Sequence, residues 1–149
     1  MRITIYAIGK QKQGPYTPLI ETYLSRIPLK LKILELEVKK NLEEETLKKA
    51  EAHLLLTQIK PEDYVIALDE RGKNITSPSF SELLFNPRYA REIAFIIGGA
   101  YGLDPCILQR ADFILSFGKL VWPHQMVRVM LIEQIYRAYT IHKGHPYHK

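Results

Sequence analysis

Apolar residues along this chain fall into two patterns that alternate from one end to the other. Short continuous runs, rich in β-branched and aromatic residues, predict strands at residues 2–8, 31–38, 64–68, 93–97 and 113–117. Apolar residues at helical spacing predict helices at residues 17–27, 43–59, 77–85 and 123–142. Residues 98–112 are predicted to form a short polar connection. This alternation predicts an α/β fold with a largely parallel sheet and helices on both faces.

The last predicted helix differs from the others because apolar residues occupy nearly all of its faces. It begins at Pro123, whose missing N–H is not needed at a helix start, and ends before Gly144. A helix that is apolar on most faces must be covered on most faces. One side can pack on the sheet and the other on a second copy of the chain, which predicts a homodimer.

Length and composition restrict the class of protein. The chain has 149 residues, of which 46% are hydrophobic and 25% charged, typical of one globular domain spanning residues 1–149. Its single cysteine, Cys106, lacks the spaced Cys and His partners of a metal site, so no metal is expected. Residues 1–8 read directly into a strand, and no apolar run is long enough to span a membrane. We therefore expect a cytoplasmic protein with no membrane partner.

Positive charge is concentrated in the last part of the chain. The formal net charge is +5. Residues 119–149 contribute +4 of it, because their five cations oppose only Glu133. These cations are Lys119, Arg128, Arg137, Lys143 and Lys149. This asymmetry predicts a polyanion-binding surface, although a solvated helix end is the alternative.

Two glycine-containing strand ends lie close together in the sequence. Gly98–Gly102 follows the fourth predicted strand, and Ser116–Gly118 forms the end of the fifth and the exit from it. Neither the Gly-x-Gly-x-x-Gly dinucleotide fingerprint nor a phosphate-binding Gly-Lys-Ser/Thr motif is present. Small residues beside Leu, Val and Trp offer flat apolar walls with backbone donors and acceptors. The combination favours a pocket for an adenine-bearing cofactor.

Several stretches in a fixed order resemble the SPOUT superfamily of RNA methyltransferases. Within it, the chain resembles the large-subunit ribosomal RNA methyltransferase H family over its whole length. The residues that carry this resemblance are 5–10 (Ile-Tyr-Ala-Ile-Gly-Lys), 68–73, 97–103, 123–129, 133–138 and 147–149. The resemblance implies a C-terminal trefoil knot, although knots are rare in proteins.

The resemblance also implies the activity and the cofactor. Members use S-adenosylmethionine to methylate N3 of a pseudouridine in the large-subunit ribosomal RNA stem-loop that bridges the two ribosomal subunits. RNA, rather than DNA, is therefore the expected nucleic acid partner. The family's cofactor positions correspond to Leu68, Gly98, Phe117, Gly118, Lys119, Leu120, Val121 and Trp122. Val121 departs from the family pattern, in which Thr is frequent, so a hydroxyl contact is lost.

Three residues are predicted to act on the substrate. The imide N3 of pseudouridine holds a proton near neutral pH, so a base or an anion-stabilising group is needed. His148 is the predicted base, Arg128 the stabiliser of negative charge, and Tyr147 a stacking or hydrogen-bonding partner. A disordered end is the alternative for His148. For Arg137, an ion pair with Glu133, four residues earlier, is the alternative to contact with RNA. His124 is expected to be a structural cap or a polar contact, with a base as the alternative.

Two alternative functions remain open from the sequence. A SPOUT enzyme can instead methylate a ribose 2′-oxygen. The chain can also be a ribosome-binding module that lacks catalysis.

Overall fold

The computed structural model describes residues 1–88 and 92–149. Their five strands form one sheet in the order β2-β1-β4-β3-β5, and all pairs are parallel. The strands are β1 (Arg2–Ile8), β2 (Lys30–Leu36), β3 (Tyr64–Asn74), β4 (Glu92–Ile97) and β5 (Phe113–Ser116). The helices are α1 (Tyr16–Arg26), α2 (Glu44–Gln58), α3 (Ser77–Leu84), α4 (Pro105–Arg110) and α5 (His124–His142). The predicted α/β class and parallel sheet are confirmed.

Helices cover both faces of the sheet. On one face Ile5 and Phe95 pack in a cluster with residues of α1, α3 and α5. On the other, Val65 and Ile96 pack with residues of α2 and α4. Strands buried on both faces need apolar residues at successive positions. This is why the sequence shows continuous apolar runs rather than alternation.

The polar connection predicted for residues 98–112 is wrong in one part, because it contains the helix α4. The Asp104 side chain accepts a hydrogen bond of 2.9 Å from the Cys106 N–H, and Pro105 follows at the first helical position. Ile107 is fully buried against the sheet. The cap signal is present in the sequence, but six residues are too few to show helical periodicity.

Strand β3 continues to Asn74, past residue 68 where the predicted strand ends. Leu115 of β5 pairs with both Leu68 and Lys73, so residues 69–72 bulge out between two paired segments. A Cβ atom on Gly72 would lie 2.6 Å from the carbonyl oxygen of Ile114. Glycine is therefore required where the bulge crosses β5.

Helix α5 runs over the sheet as predicted, with Pro123 as its cap residue. Its fully buried residues Leu131, Ile132, Ile135 and Ala138 belong to the cluster that includes β4 and α1. The trefoil knot stays a prediction.

We expect Gly72→Ala to destabilise the fold by about 2 kcal/mol or more, since its methyl group meets backbone rather than a flexible side chain. Thermal or urea unfolding measures the change. Gly14→Ala is the matched control, because the nearest atom to its new Cβ is 3.9 Å away. It should change stability by less than about 0.5 kcal/mol. Equal losses in the two variants would contradict the close approach at Gly72.

Candidate functional site

A cavity of about 680 Å³ lies where the bulge of β3 meets the carboxyl ends of β4 and β5. Clefts at this edge of an open α/β sheet are the usual ligand sites, and this volume suits a nucleoside-sized ligand. Every residue predicted to bind the cofactor lines the cavity except Lys119, which is exposed. The lining also includes Glu44, Asp69, Glu70, Ile97, Gly99, Ala100, Tyr101, Gly102, Leu103, Leu115, Pro123, His124 and Val127.

The first wall is the glycine turn that follows β4. The Gly102 N–H donates to the Gly99 carbonyl at 3.1 Å, and Gly102 has a φ of +78°. A Cβ on Gly98 would lie 2.9 Å from the carbonyl carbon of Gly102. The tight turn therefore explains the small residues at both ends, and it leaves Tyr101 half-exposed at the cavity.

The second wall is residues 117–122, after β5. Gly118 has a φ of +114°, which favours glycine, and a Cβ added there would meet no atom within 4 Å. The Trp122 indole N–H donates to the Phe117 carbonyl at 3.4 Å. Leu120 and Val121 are 72% and 80% exposed, so the cavity has an apolar rim.

The third wall is the β3 bulge, which brings carboxylates to the cavity. Asp69 is buried and accepts hydrogen bonds from the Arg71 backbone N–H, Nε and Nη2 at 2.8–2.9 Å. These bonds, led by those of the guanidinium, lower the pKa of the Asp69 carboxyl below its ordinary value. Glu70 is exposed. The cavity thus has a negative side that favours a cationic ligand.

Arg128, predicted to stabilise negative charge on the substrate, is buried beneath the start of α5. Its side chain is 1% exposed. Nη2 donates to the carbonyl oxygens of Ile8 at 2.8 Å and Gly9 at 2.6 Å, and Nη1 donates to Glu35 at 3.2 Å. Arg128 therefore joins the start of α5 to the carboxyl ends of β1 and β2.

His124, one turn earlier, lines the cavity and neighbours Arg128. Partial burial and the Arg128 charge together lower the pKa of the His124 imidazole. The imidazole of His124 therefore holds a proton less readily than an ordinary histidine does. The sequence predicted a structural cap or a polar contact here, with a base as the alternative, and the cap residue of α5 is Pro123 rather than His124.

The C-terminal residues Tyr147 and His148 fold back onto α5. The Tyr147 hydroxyl donates to Glu133 Oε1 at 3.1 Å, and its ring lies 4.8 Å from the Arg137 guanidinium carbon. Arg137 also donates to Glu133 at 2.6 Å, as the sequence predicted, and its Nη1 lies 3.4 Å from His148 Nδ1. Burial and hydrogen bonds with Tyr23 and Glu133 raise the pKa of the Tyr147 phenol.

Glu133 is thus the centre of a tail cluster formed by Glu133, Arg137, Tyr147 and His148. Sequence reasoning assigned Glu133 only an ion pair, because the return of Tyr147 over 14 residues has no local signal. Neither Tyr147 nor His148 lines the cavity of its own chain. Between the cavity and this cluster lies an apolar groove of about 510 Å³ that shares Leu115 and Phe117 with the cavity and reaches Glu133.

Residues 1–88 and 92–149 contain no group of three His, Cys, Asp or Glu side chains that could hold a metal ion. In the same described part of the chain, no helix is long and apolar enough to cross a membrane.

Comparison with known proteins places the chain in a family. The family profile described as "Predicted SPOUT methyltransferase" matches residues 1–148. A ribosomal RNA large subunit methyltransferase H from Rhodospirillum centenum is 44% identical over 151 residues, covering 100% of this chain and 99% of that protein. The chain belongs to the SPOUT methyltransferases and, within them, to the large-subunit methyltransferase H family.

Solved structures agree with the fold. A probable methylase family protein from Haemophilus influenzae Rd KW20 is similar with a TM-score of 0.60 and 15% identity, covering 99% of this chain and 70% of that one. A ribosomal RNA small subunit methyltransferase E from Neisseria gonorrhoeae, bound to S-adenosyl methionine, has a TM-score of 0.51 and 9% identity. This chain spans 64% of that protein and is covered over 89% of its own length.

The lowered pKa of His124 predicts a pH dependence of stability. Below about pH 6.5 the unfolded chain takes up a proton that folded His124 resists, so acidification lowers the free energy of unfolding. We expect His124→Asn to remove part of this loss between about pH 7 and pH 5. Unfolding midpoints across that range measure it. His53→Asn, at an exposed position on α2, should retain the wild-type pH slope. If both variants kept that slope, His124 would have no share in it.

Proposed function

We propose that this protein is an S-adenosylmethionine-dependent methyltransferase that acts on N3 of a pseudouridine in large-subunit ribosomal RNA. The observation that carries the proposal is the cavity between the bulge of β3 and the carboxyl ends of β4 and β5. Its walls coincide with the family's cofactor positions, apart from Lys119. The name of a relative that is 44% identical over the whole chain supports the RNA substrate.

The residues around the cavity fit this cofactor. S-adenosylmethionine supplies an electrophilic methyl group on a positively charged sulfur. The apolar residues Leu68 and Leu103 suit an adenine ring, and the carboxylates of Glu44 and Glu70 give the cavity a negative side that suits a cation. Val121 brings no hydroxyl to the second wall, so polar contacts there must come from the backbone.

Removal of the N3 proton is assigned to a histidine. His148, predicted from the sequence, has Nδ1 beside Arg137, which can only donate, so the neutral ring carries its proton on Nε2 in this arrangement. His148 must therefore change this contact before it can accept the substrate proton. His124 lines the cavity and is the second candidate because of that position. Arg128 supports the site through the strand ends that it holds rather than by touching the substrate.

The complete site is proposed to form between two copies of the chain. The tail cluster does not line its own cavity, whereas the rim at Leu120 and Val121 is exposed and apolar. In a homodimer the apolar groove beside α5 is covered, and the tail of one copy reaches the cavity of the other. Tyr147 then contacts the base by stacking or by its hydroxyl.

The RNA-binding surface that we propose contains fewer cations than the charge asymmetry predicted. Arg128 is buried, and Arg137 is paired with Glu133. Lys119, Lys143 and Lys149 are exposed, and within the described residues none has a carboxylate within ion-pair distance. These lysines are proposed to contact RNA phosphates, with the protein acting in the cytoplasm where ribosomes are assembled.

Mass spectrometry of ribosomal RNA nucleosides tests the activity. Ribosomes from cells lacking this protein should lose N3-methylpseudouridine, and purified protein with S-adenosylmethionine should restore it. Loss of a 2′-O-methylnucleoside instead would establish the ribose alternative. Unchanged nucleosides with retained ribosome binding would establish a module without catalysis.

Complementation between two inactive variants tests the shared site. Deletion of residues 147–149 removes the tail, and Gly118→Val strains the second wall at a position where a Cβ meets no atom within 4 Å. Each variant alone should be inactive. Coexpression should recover about one quarter of the wild-type sites, because about half of the dimers are mixed and each has one intact site.

Size-exclusion chromatography of both variants is the control, since each must remain a dimer. Mixed dimers without recovered activity would contradict a site shared between copies.

A further inference from the structure

A buried hydroxyl group connects two walls of the cavity. Ser116, the last residue of β5, is 4% exposed. On one side lies the β3 bulge with Glu70, and on the other lies Gly118 in the second wall. Ser116 itself does not line the cavity.

The Ser116 hydroxyl contacts backbone atoms of both walls. Its oxygen lies 2.8 Å from the Gly118 carbonyl and 3.2 Å from the Glu70 carbonyl, and it accepts a hydrogen bond of 3.1 Å from the Gly118 N–H. The hydroxyl has one proton to donate to the two carbonyls, and the shorter distance favours donation to the Gly118 carbonyl. The hydroxyl thus closes a tight loop at Gly118 and ties it to Glu70.

The backbone of Ser116 is held as well. Asn74 Nδ2 donates to the Ser116 carbonyl at 3.1 Å, just beyond the far end of the bulge. The bond from Asn74 therefore fixes the main chain of Ser116. From this fixed position, the Ser116 hydroxyl holds the backbone atoms that it contacts in the two walls. Gly118, at a φ of +114°, has no Cβ packing to hold it. Its conformation depends on hydrogen bonds of this kind.

We infer that Ser116 is a positioning residue for the cofactor cavity, whose hydroxyl sets the separation and conformation of the walls at Glu70 and Gly118. This inference rests on the proposed S-adenosylmethionine site. Without the hydroxyl, the Gly118 N–H and the two carbonyls lose a shared partner. The second wall then samples other conformations, and binding must order it again at a cost in affinity.

Ser81 provides a matched control within the same chain. It is also 4% exposed, and its hydroxyl donates to the Ala138 carbonyl at 2.8 Å. That bond joins α3 to α5 and does not involve a residue of the cavity lining. Removing either hydroxyl should lower the thermal stability of the ligand-free protein by a similar amount. Only Ser116 should affect the cavity.

Calorimetric titration of the purified, ligand-free protein with S-adenosylmethionine tests the inference. We expect Ser116→Ala to weaken binding by about fivefold to tenfold, the range expected for a lost hydrogen bond. Ser81→Ala should stay within about twofold of the wild type, the level of a neutral change. In the methyl transfer assay, the KM for S-adenosylmethionine should rise for Ser116→Ala while kcat at saturation changes little.

Equal S-adenosylmethionine affinity in the wild type, Ser116→Ala and Ser81→Ala would overturn the inference while leaving the proposed function intact. A wild-type protein that does not bind S-adenosylmethionine would instead overturn the proposed function. If Ser116→Ala unfolds, Ser116→Cys replaces it, since sulfur fills the same space but hydrogen-bonds weakly. An affinity unchanged from the wild type in that variant would also overturn the inference.

Discussion

The buried guanidinium of Arg128 fixes the part of the fold on which the candidate site depends. Burying a charge is costly unless it is paired and hydrogen-bonded. Here the partners are the carbonyls that end β1 and a carboxylate of β2. The first turn of α5 is thereby held against the carboxyl edge of the sheet. Residues 117–122 lead directly into α5, so the same contacts fix where this segment ends. It forms one wall of the cavity.

A second constraint on the cavity comes from β3, which forms another of its walls. Its bulge at residues 69–72 exists because β5 pairs on both sides of it, and Gly72 permits the close backbone approach. The same bulge brings Asp69 and Glu70 to the cavity, while Arg71 neutralises only Asp69. A strand irregularity thus gives an apolar cleft its negative side. Ser116 lies where the bulge and the second wall meet, so a single hydroxyl contacts both.

The residues proposed to bind the cofactor and those proposed to contact the substrate lie in two separate regions of one chain. The cavity is at the start of α5, and the tail cluster is farther along the same helix, with an apolar groove between them. In the proposed homodimer, the tail of one copy reaches the cavity of the other, so the two regions meet while the tail cluster leaves its own cavity unlined. The exposed apolar rim and groove would then be covered in the same step, which agrees with a helix that is apolar on nearly every face.

The sequence by itself determined the strand and helix pattern, the parallel sheet and the two turns that line the cavity. These follow from local residue order, because burial on both faces requires continuous apolar runs and tight turns require glycine. Only the tertiary structure decided that Arg128 is buried, that Tyr147 returns to Glu133 and that Ser116 joins two walls. Each of these contacts joins residues distant in sequence, so no periodicity or spacing along the chain encodes it. The short helix α4 is the intermediate case. The residues Asp104 and Pro105 mark its start in the sequence, but its six residues are too few to show helical spacing of apolar positions.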